Sequence, residues 1–160
     1  MEQPALTLLL LRGPSCSGKS SFIEHELRHI APKSVYSTDD FFLIDGEYIF
    51  DKNRLPQYHE MNVRRCLTSM ESLEPFIIID NTHLQIWEMC PYVQAALKHG
   101  YHIQIQSMPK LPLEILLKRN LERGKTGKFI PPEVLGHHHS IYNDEIALED
   151  IIKFCEEANN

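Results

Sequence analysis

Gly13-Pro14-Ser15-Cys16-Ser17-Gly18-Lys19-Ser20 sets two glycines, a lysine and a hydroxyl at the spacing G-x-x-x-x-G-K-[ST]. Those residue types in that order make a phosphate cradle. The glycines let the backbone curl so that successive N–H groups aim at phosphate oxygens, and a helix start adds its dipole. Lys19 neutralises the outer phosphates, and the Ser20 hydroxyl can ligate magnesium. Nucleotide contacts are therefore expected from Gly13, Ser15, Cys16, Ser17, Gly18, Lys19, Ser20 and Ser21. Cys16 stands where many such loops have another glycine, so its backbone must accept the turn with a Cβ attached.

Binding a nucleoside triphosphate is only half of a transfer reaction, which also needs a base for the acceptor and cations for the moving group. Ser37-Thr38-Asp39-Asp40-Phe41-Phe42 offers two acids, and Asp80 ends the apolar run Pro75–Ile79, where it can approach a magnesium ion. Asp39 and Asp40 are also residues that cap or solvate a turn, and Asp80 could equally cap the next helix. Arg119 and Arg123 stand four apart on an expected helix, so they share a face and can converge on one anion. Between Lys110 and Lys128 there are six basic residues against two acids, although a Glu122–Lys118 pair on a solvated face would explain some of them. Asn81, Thr82 and His83 could approach phosphate or acceptor, or simply make turns. His137, His138 and His139 project about 100° apart on a helix and cannot all meet one ion.

The elements that must carry these groups alternate short apolar runs with amphipathic stretches, the pattern of crossover units feeding a parallel sheet. Strands are expected over Ala5–Arg12, Ser34–Ser37, Pro75–Asp80 and Tyr101–Ser107. Helices are expected over Gly18–Ile30, Arg54–Ser72, Gln85–His99, Pro112–Arg123, Pro132–Tyr142 and Asp144–Glu157, with Pro91 kinking or restarting the third. Asp39–Asp51 is too long and irregular for a plain connector and is a candidate substrate loop. Its Phe41, Phe42, Tyr48 and Phe50 suit either base stacking or a local cluster that pins the loop. Leu55, His59, Asn62 and Cys66 give the following helix a partly polar face. Gly124–Pro132 has the composition of a mobile lid.

At 160 residues, with 42% hydrophobic and 24% charged, the chain reads as one ordinary globular unit, residues 1–160. Its net charge of -6 excludes bulk electrostatic attraction to nucleic acid, so a polynucleotide partner must be gripped locally. Cys16, Cys66, Cys90 and Cys155 form no Cys-x-x-Cys pair and suggest neither a zinc knuckle nor a disulfide framework, which fits a reducing, cytoplasmic setting. The apolar run Ala5–Leu11 is too short to span a bilayer, and no membrane partner is expected.

Five segments together bring a resemblance: Gly13–Ser20, Ser37–Phe42, Tyr48-x-Phe50-Asp51, Ile79-Asp80-Asn81-Thr82-His83-Leu84, and Lys118-Arg119-Asn120-x-x-Arg123-Gly124. The chain resembles the P-loop polynucleotide 5'-hydroxyl kinases, and more closely an AAA-type kinase-like branch found in proteins that bind a HECT-type ubiquitin ligase. The resemblance implies an α/β P-loop NTPase three-layer sandwich, a four-stranded parallel sheet of order 2-3-1-4 and a helical lid. It implies Asp39 as general base and Arg123 as a lid arginine on the transferring phosphates; the residues themselves put Lys19 and Arg119 on the nucleotide and Ser20 and Asp80 on magnesium. The expected reaction is ATP-dependent phosphoryl transfer to a hydroxyl acceptor, foremost an RNA or DNA 5' end. Where the phage-type enzymes carry an arginine after the acidic pair, this chain has Phe41, Phe42 and Leu43. That departure keeps open a kinase for a small metabolite or mononucleotide. The branch itself keeps open a nucleotide-binding adaptor or switch with a protein partner and no transfer.

Overall fold

The apolar run near the chain start becomes the middle of the sheet. In the computed structural model, which describes residues 5–158, β1 (Thr7–Arg12) is buried along its whole length. It lies between parallel β5 (Phe76–Asp80) and β6 (His102–Ser107), and β2 (Ser34–Tyr36) pairs with the far side of β5. The order is β2-β5-β1-β6, which is the expected 2-3-1-4 once only this sheet's strands are counted. Two strands the sequence did not announce, β3 (Leu43–Ile44) and β4 (Glu47–Tyr48), form a separate antiparallel hairpin inside the candidate substrate loop.

Side chains alternate along a strand, so one covered on both faces must be apolar throughout. Leu8 and Leu10 join Ile77, Ile79 and Ile103 on one face, under α2 (Leu55–Glu71), α3 (Cys90–His99) and α6 (Leu148–Ala158). Leu9, Leu11 and Ile78 point the other way, onto Phe22, Ile23, Leu27 and Met108. Each fully buried leucine contributes about 1.5–3 kcal/mol, which makes β1 a stiff base for the loop that leaves it.

Three helices depart from their expected spans. Over Gly18–Ile30 only α1 (Lys19–Ser21) is α-helical, and the chain continues as a π-turn over Phe22–Glu26. The wider turn brings Phe22 and Leu27, five residues apart, onto the same sheet face. The stretch from Gln85 starts as a 3-10 turn over Ile86–Met89, and α3 restarts with Pro91 in its first turn, where a missing N–H costs nothing. Residues Asp144–Ala147 are not helical, because Asp144 accepts from the Lys110 N–H at 2.7 Å and Asn143 from the Glu145 N–H at 2.9 Å. By contrast α4 (Leu113–Gly124) and α5 (Pro132–Ile141) follow expectation and pack on each other.

Cys90 and Cys155 are joined by a disulfide between α3 and α6. This corrects the reading of four unpaired cysteines: 65 residues separate the two, and only helix packing reveals them as neighbours. Cys66 is buried, and burial pushes its thiol up to about 12. Among the described residues no helix is long and apolar enough to cross a membrane.

Candidate active site

The cradle leaves the carboxyl end of β1, its first amide anchored by a bond from the Gly13 N–H to the Thr82 carbonyl at 2.9 Å. Gly13, Cys16 and Gly18 have φ of 154°, 71° and 104°, so Cys16 does adopt a left-handed turn with its Cβ in place. A Cβ on Gly13 would stand 2.5 Å from Ser17 Oγ, which leaves room there for glycine alone. Ser17 Oγ is buried and has no hydrogen-bond partner among the described residues. Lys19 Nζ donates to the Gly13 carbonyl at 2.8 Å, across the mouth of the loop. Burial pushes its ammonium down to about 8, with Asp80 and Asp39 opposing and Lys128 and Arg123 adding to the fall. Ser20 and Ser21 are exposed on α1.

The acidic pair separates into two jobs. Asp40 completes a capping box, accepting from the Ser37 N–H at 3.3 Å, and pairs with Arg65 at 3.2 Å. Asp39 gives that cap only its N–H, to Ser37 Oγ at 3.3 Å, and its carboxylate faces the cradle side, where Tyr48 donates to its Oδ1 at 3.2 Å and Lys128 pairs with its Oδ2. The loop beneath is held from α2 and from beyond β5. Arg65 donates to the Ser37 carbonyl at 2.8 Å, the Thr38 hydroxyl bonds His59 Nδ1 at 3.2 Å, and the Thr38 N–H donates to Asn81 Oδ1 at 2.9 Å. The aromatic group is a pinning cluster: Phe42, 1% exposed, packs on Tyr48, Phe50 and Tyr58. The polar face of α2 is likewise structural, with Asn62 buried against Tyr92 and Arg65.

Asp80 ends β5 opposite Leu11, one strand over from the cradle. Among the described residues its carboxylate makes no hydrogen bond or ion pair, and burial holds it above the usual carboxylate range against the pull of Lys19. It does not cap the following segment, which is capped by Gln85. An unpartnered carboxylate beside Lys19, with the Ser20 hydroxyl nearby in sequence, is an oxygen set that fits a hard divalent cation. Of the turn that follows, Asn81 and Thr82 brace the two loops. His83 is buried with its ring edge-on to Tyr92.

The late helix closes the site. Arg119 donates to the Cys16 carbonyl at 3.1 Å and Arg123 to Ser15 Oγ at 2.7 Å, so both reach the cradle. Arg123 also donates to the Lys128 carbonyl at 3.0 Å, while buried Asn120 bonds both the carbonyl and the N–H of Ile130. The Gly124–Pro132 connector is thus tied down over the cradle, and Lys125, not Lys118, pairs with Glu122. The His137–His139 run binds no common point: His139 bonds the Leu111 carbonyl at 2.8 Å, and among the described residues no group of three His, Cys, Asp or Glu could hold a metal.

Cradle, Asp39, Asp80 and both lid arginines therefore share one site. Several residues in it escaped the sequence reading. In the sequence Lys128 reads only as charge and Tyr48 as a ring within one of the resembling segments, yet both grip Asp39. Arg65 gave no signal beyond its place on α2. Arg12, fully buried, bonds the His83, Leu84 and Asn143 carbonyls and Ser107 Oγ at 2.6–3.4 Å, with Tyr142 beneath its guanidinium. A charged residue ending an apolar strand was its only trace.

Comparison with known proteins agrees with this arrangement. Human (Homo sapiens) NEDD4-binding protein 2 is 48% identical over 99 residues, which cover 61% of this chain and 6% of that protein. The chain thus spans a small fraction of that relative. A chain of the Pnkp1/Rnl/Hen1 RNA repair complex superposes with a TM-score of 0.70 at 22% identity, covering 98% of this chain and 47% of that one. The AvrRxo1-ORF1:-ORF2 structure with ATP gives a TM-score of 0.64 at 20% identity, over 84% and 46% of the two chains. At such identities these two likenesses establish the fold. The model of the AAA domain family matches residues 8–142, and the chain belongs to that family as a P-loop kinase-like domain.

Proposed function

We propose that residues 1–160 form one kinase domain that moves the γ-phosphoryl group of ATP to a hydroxyl acceptor. The observation that carries this is the meeting of Asp39 with Lys19, Lys128 and Arg123 over the cradle. A site for nucleotide binding alone has no use for a partly exposed carboxylate facing the outer phosphates.

Gly13, Ser15, Cys16, Ser17, Gly18 and Ser21 would line the phosphates with backbone and hydroxyl groups, and Lys19 would neutralise the outer ones. Arg119 and Arg123 would turn from the cradle's own oxygens to the phosphate oxygens. Ser20 and Asp80 would hold magnesium, which when bound supplies neutralising charge on the outer phosphates. Asp39 takes or orients the acceptor's proton, and positioning does the rest, because phosphoryl transfer demands little covalent help from the protein. The neighbour from an RNA repair complex supports a polynucleotide 5'-hydroxyl as acceptor. A second reading, a small metabolite or mononucleotide, is favoured by Phe41, Phe42 and Leu43: where an arginine would meet a strand's phosphate, Phe42 is buried in the pinning cluster. The adaptor reading draws on the relative named for binding NEDD4.

Labelled ATP with magnesium, offered to RNA and DNA 5'-hydroxyl oligonucleotides, mononucleotides and small polyols, tests all three. Transfer to an oligonucleotide that disappears in Asp39→Ala and Lys19→Ala is expected. Transfer undiminished in Asp39→Ala would refute the assigned base, and ATP binding without transfer to any acceptor would leave the adaptor.

A further inference from the structure

We propose that Lys128 decides whether Asp39 acts on an acceptor hydroxyl or on water, an inference that rests on the kinase reading above. Both oxygens of Asp39 are occupied in the structure, Oδ1 by the Tyr48 hydroxyl at 3.2 Å and Oδ2 by the Lys128 ammonium. The lysine side chain is only 20% exposed and so is held in place at Oδ2, while the carboxylate, 47% exposed, stays open to solvent except where these two donors occupy its oxygens. Its placement is built in at both ends. The Lys128 carbonyl accepts from Arg123, which also grips Ser15 of the cradle, and the ammonium sits 5.2 Å from the centre of the Tyr48 ring. Residue 128 thereby ties the phosphate side to the acceptor side.

The chemistry makes such occupancy useful. In transfer, the acceptor's O–H proton passes to the Asp39 carboxylate as its oxygen bonds to the γ-phosphorus. The bond from that phosphorus to the β–γ bridging oxygen breaks, and its electron pair leaves on ADP. Water can follow the same course and waste the ATP as ADP and inorganic phosphate. An ammonium on Oδ2 denies water that oxygen, whereas a docked acceptor brings binding energy enough to displace it. The displaced lysine is then free to follow the charge that builds on the phosphoryl group.

The test is acceptor-free ATP hydrolysis in wild type, Lys128→Met, Lys128→Arg and the double variant Lys128→Met with Asp39→Asn, alongside titration with a fluorescent ATP analogue. Lys128→Met should raise hydrolysis about fivefold or more while analogue affinity moves less than about twofold. Lys128→Arg should restore the low rate, and the added Asp39→Asn should abolish the gain. Hydrolysis unchanged or lowered in Lys128→Met, or a rise that survives Asp39→Asn, would overturn the proposal. The kinase reading stands or falls separately. An Asp39-dependent gain in a protein that phosphorylates no acceptor sustains the role of Lys128 and removes that reading, and transfer by wild type with unmoved hydrolysis in Lys128→Met does the reverse.

Discussion

The loops that leave β1 and β2 end at the same edge of the sheet, and they are built in opposite ways. Gly13–Ser20 takes its form from its own backbone, through positive φ at Gly13, Cys16 and Gly18 and a bond from the Ser17 N–H to the Pro14 carbonyl at 3.1 Å. Ser37–Tyr48 takes its form from distant side chains: Arg65 and His59 on α2, Asn81 beyond β5, Lys128 in the lid connector. The first loop works through amide groups every residue possesses, so what it cannot tolerate is a change of φ. The second works through one carboxylate, so it depends on whatever aims that carboxylate.

The sharpest way to break this contrast is at Asp39. Asp39→Asn should lower transfer by about 100-fold or more and leave ATP affinity nearly unmoved, as read by labelled transfer and nucleotide titration. If affinity fell in step with transfer, the two loops would not have separate work. The matching change in the cradle is Gly13→Ala, whose new methyl would meet Ser17 Oγ at 2.5 Å and Met108 Cβ at 3.0 Å. It should weaken ATP binding about 30-fold, close to 2 kcal/mol. Cys16→Gly relieves a left-handed residue instead and should bind ATP as well as wild type or better.

The same contrast explains what could be read before any coordinates. The cradle is legible because its demands fall on consecutive residues: Gly13, Gly18, Lys19 and Ser20 each answer a local need, and β1 announces itself by burial on both faces. The acidic pair is legible from its place after the second strand, but a capping acid and a catalytic acid look alike in sequence, and it is the resemblance that assigns the base to Asp39; its neighbour Asp40 is the cap. Lys128 lies 89 residues from Asp39, and Cys155 65 from Cys90, so no local pattern links either pair. The π-turn after Ser21 and the β3–β4 hairpin were hidden for another reason. Each is a small deviation forced by what the segment packs against, Phe22 and Leu27 on the sheet and Phe42 in its aromatic cluster.

Arg65 sharpens the comparison from the dependent side. Its guanidinium lies over the Tyr36 and Phe41 rings, at 4.9 and 4.4 Å from their centres, while Nη2 holds Ser37 and Asp40. Arg65→Met should cost about 1–3 kcal/mol of stability through unpaired polar groups and lower transfer about tenfold with little change in ATP affinity. Arg65→Lys should rescue little, because an ammonium cannot both stack and fork. Equal losses of transfer and of ATP affinity in Arg65→Met would mean that the second loop's support also shapes the first.

The smallest effect comes from the turn that both loops share. Thr82 accepts from Gly13 and Asn81 from Thr38, so a disturbance at His83 should reach the two loops together. Burial pushes the His83 imidazole down to about 3, with the positive charges of Arg12 and Lys19 adding to it. In the unfolded chain the same group binds its proton near 6.5, so below that pH unfolding takes up a proton the folded protein refuses. Stability from this source is complete above about pH 6.5 and is lost progressively as pH falls towards 3, reaching a loss of about 1 kcal/mol by pH 5.5. His83 has φ of 44°, a conformation asparagine accepts, so His83→Asn removes the titrating group without straining the turn. Denaturant unfolding at pH 7 and pH 5.5 should show wild type losing about 1 kcal/mol more than the variant. A difference that vanishes would place the acid sensitivity elsewhere. A difference that appears with unchanged ATP affinity at pH 5.5 would show that the cradle's backbone keeps its form even when the turn beneath it is weakened.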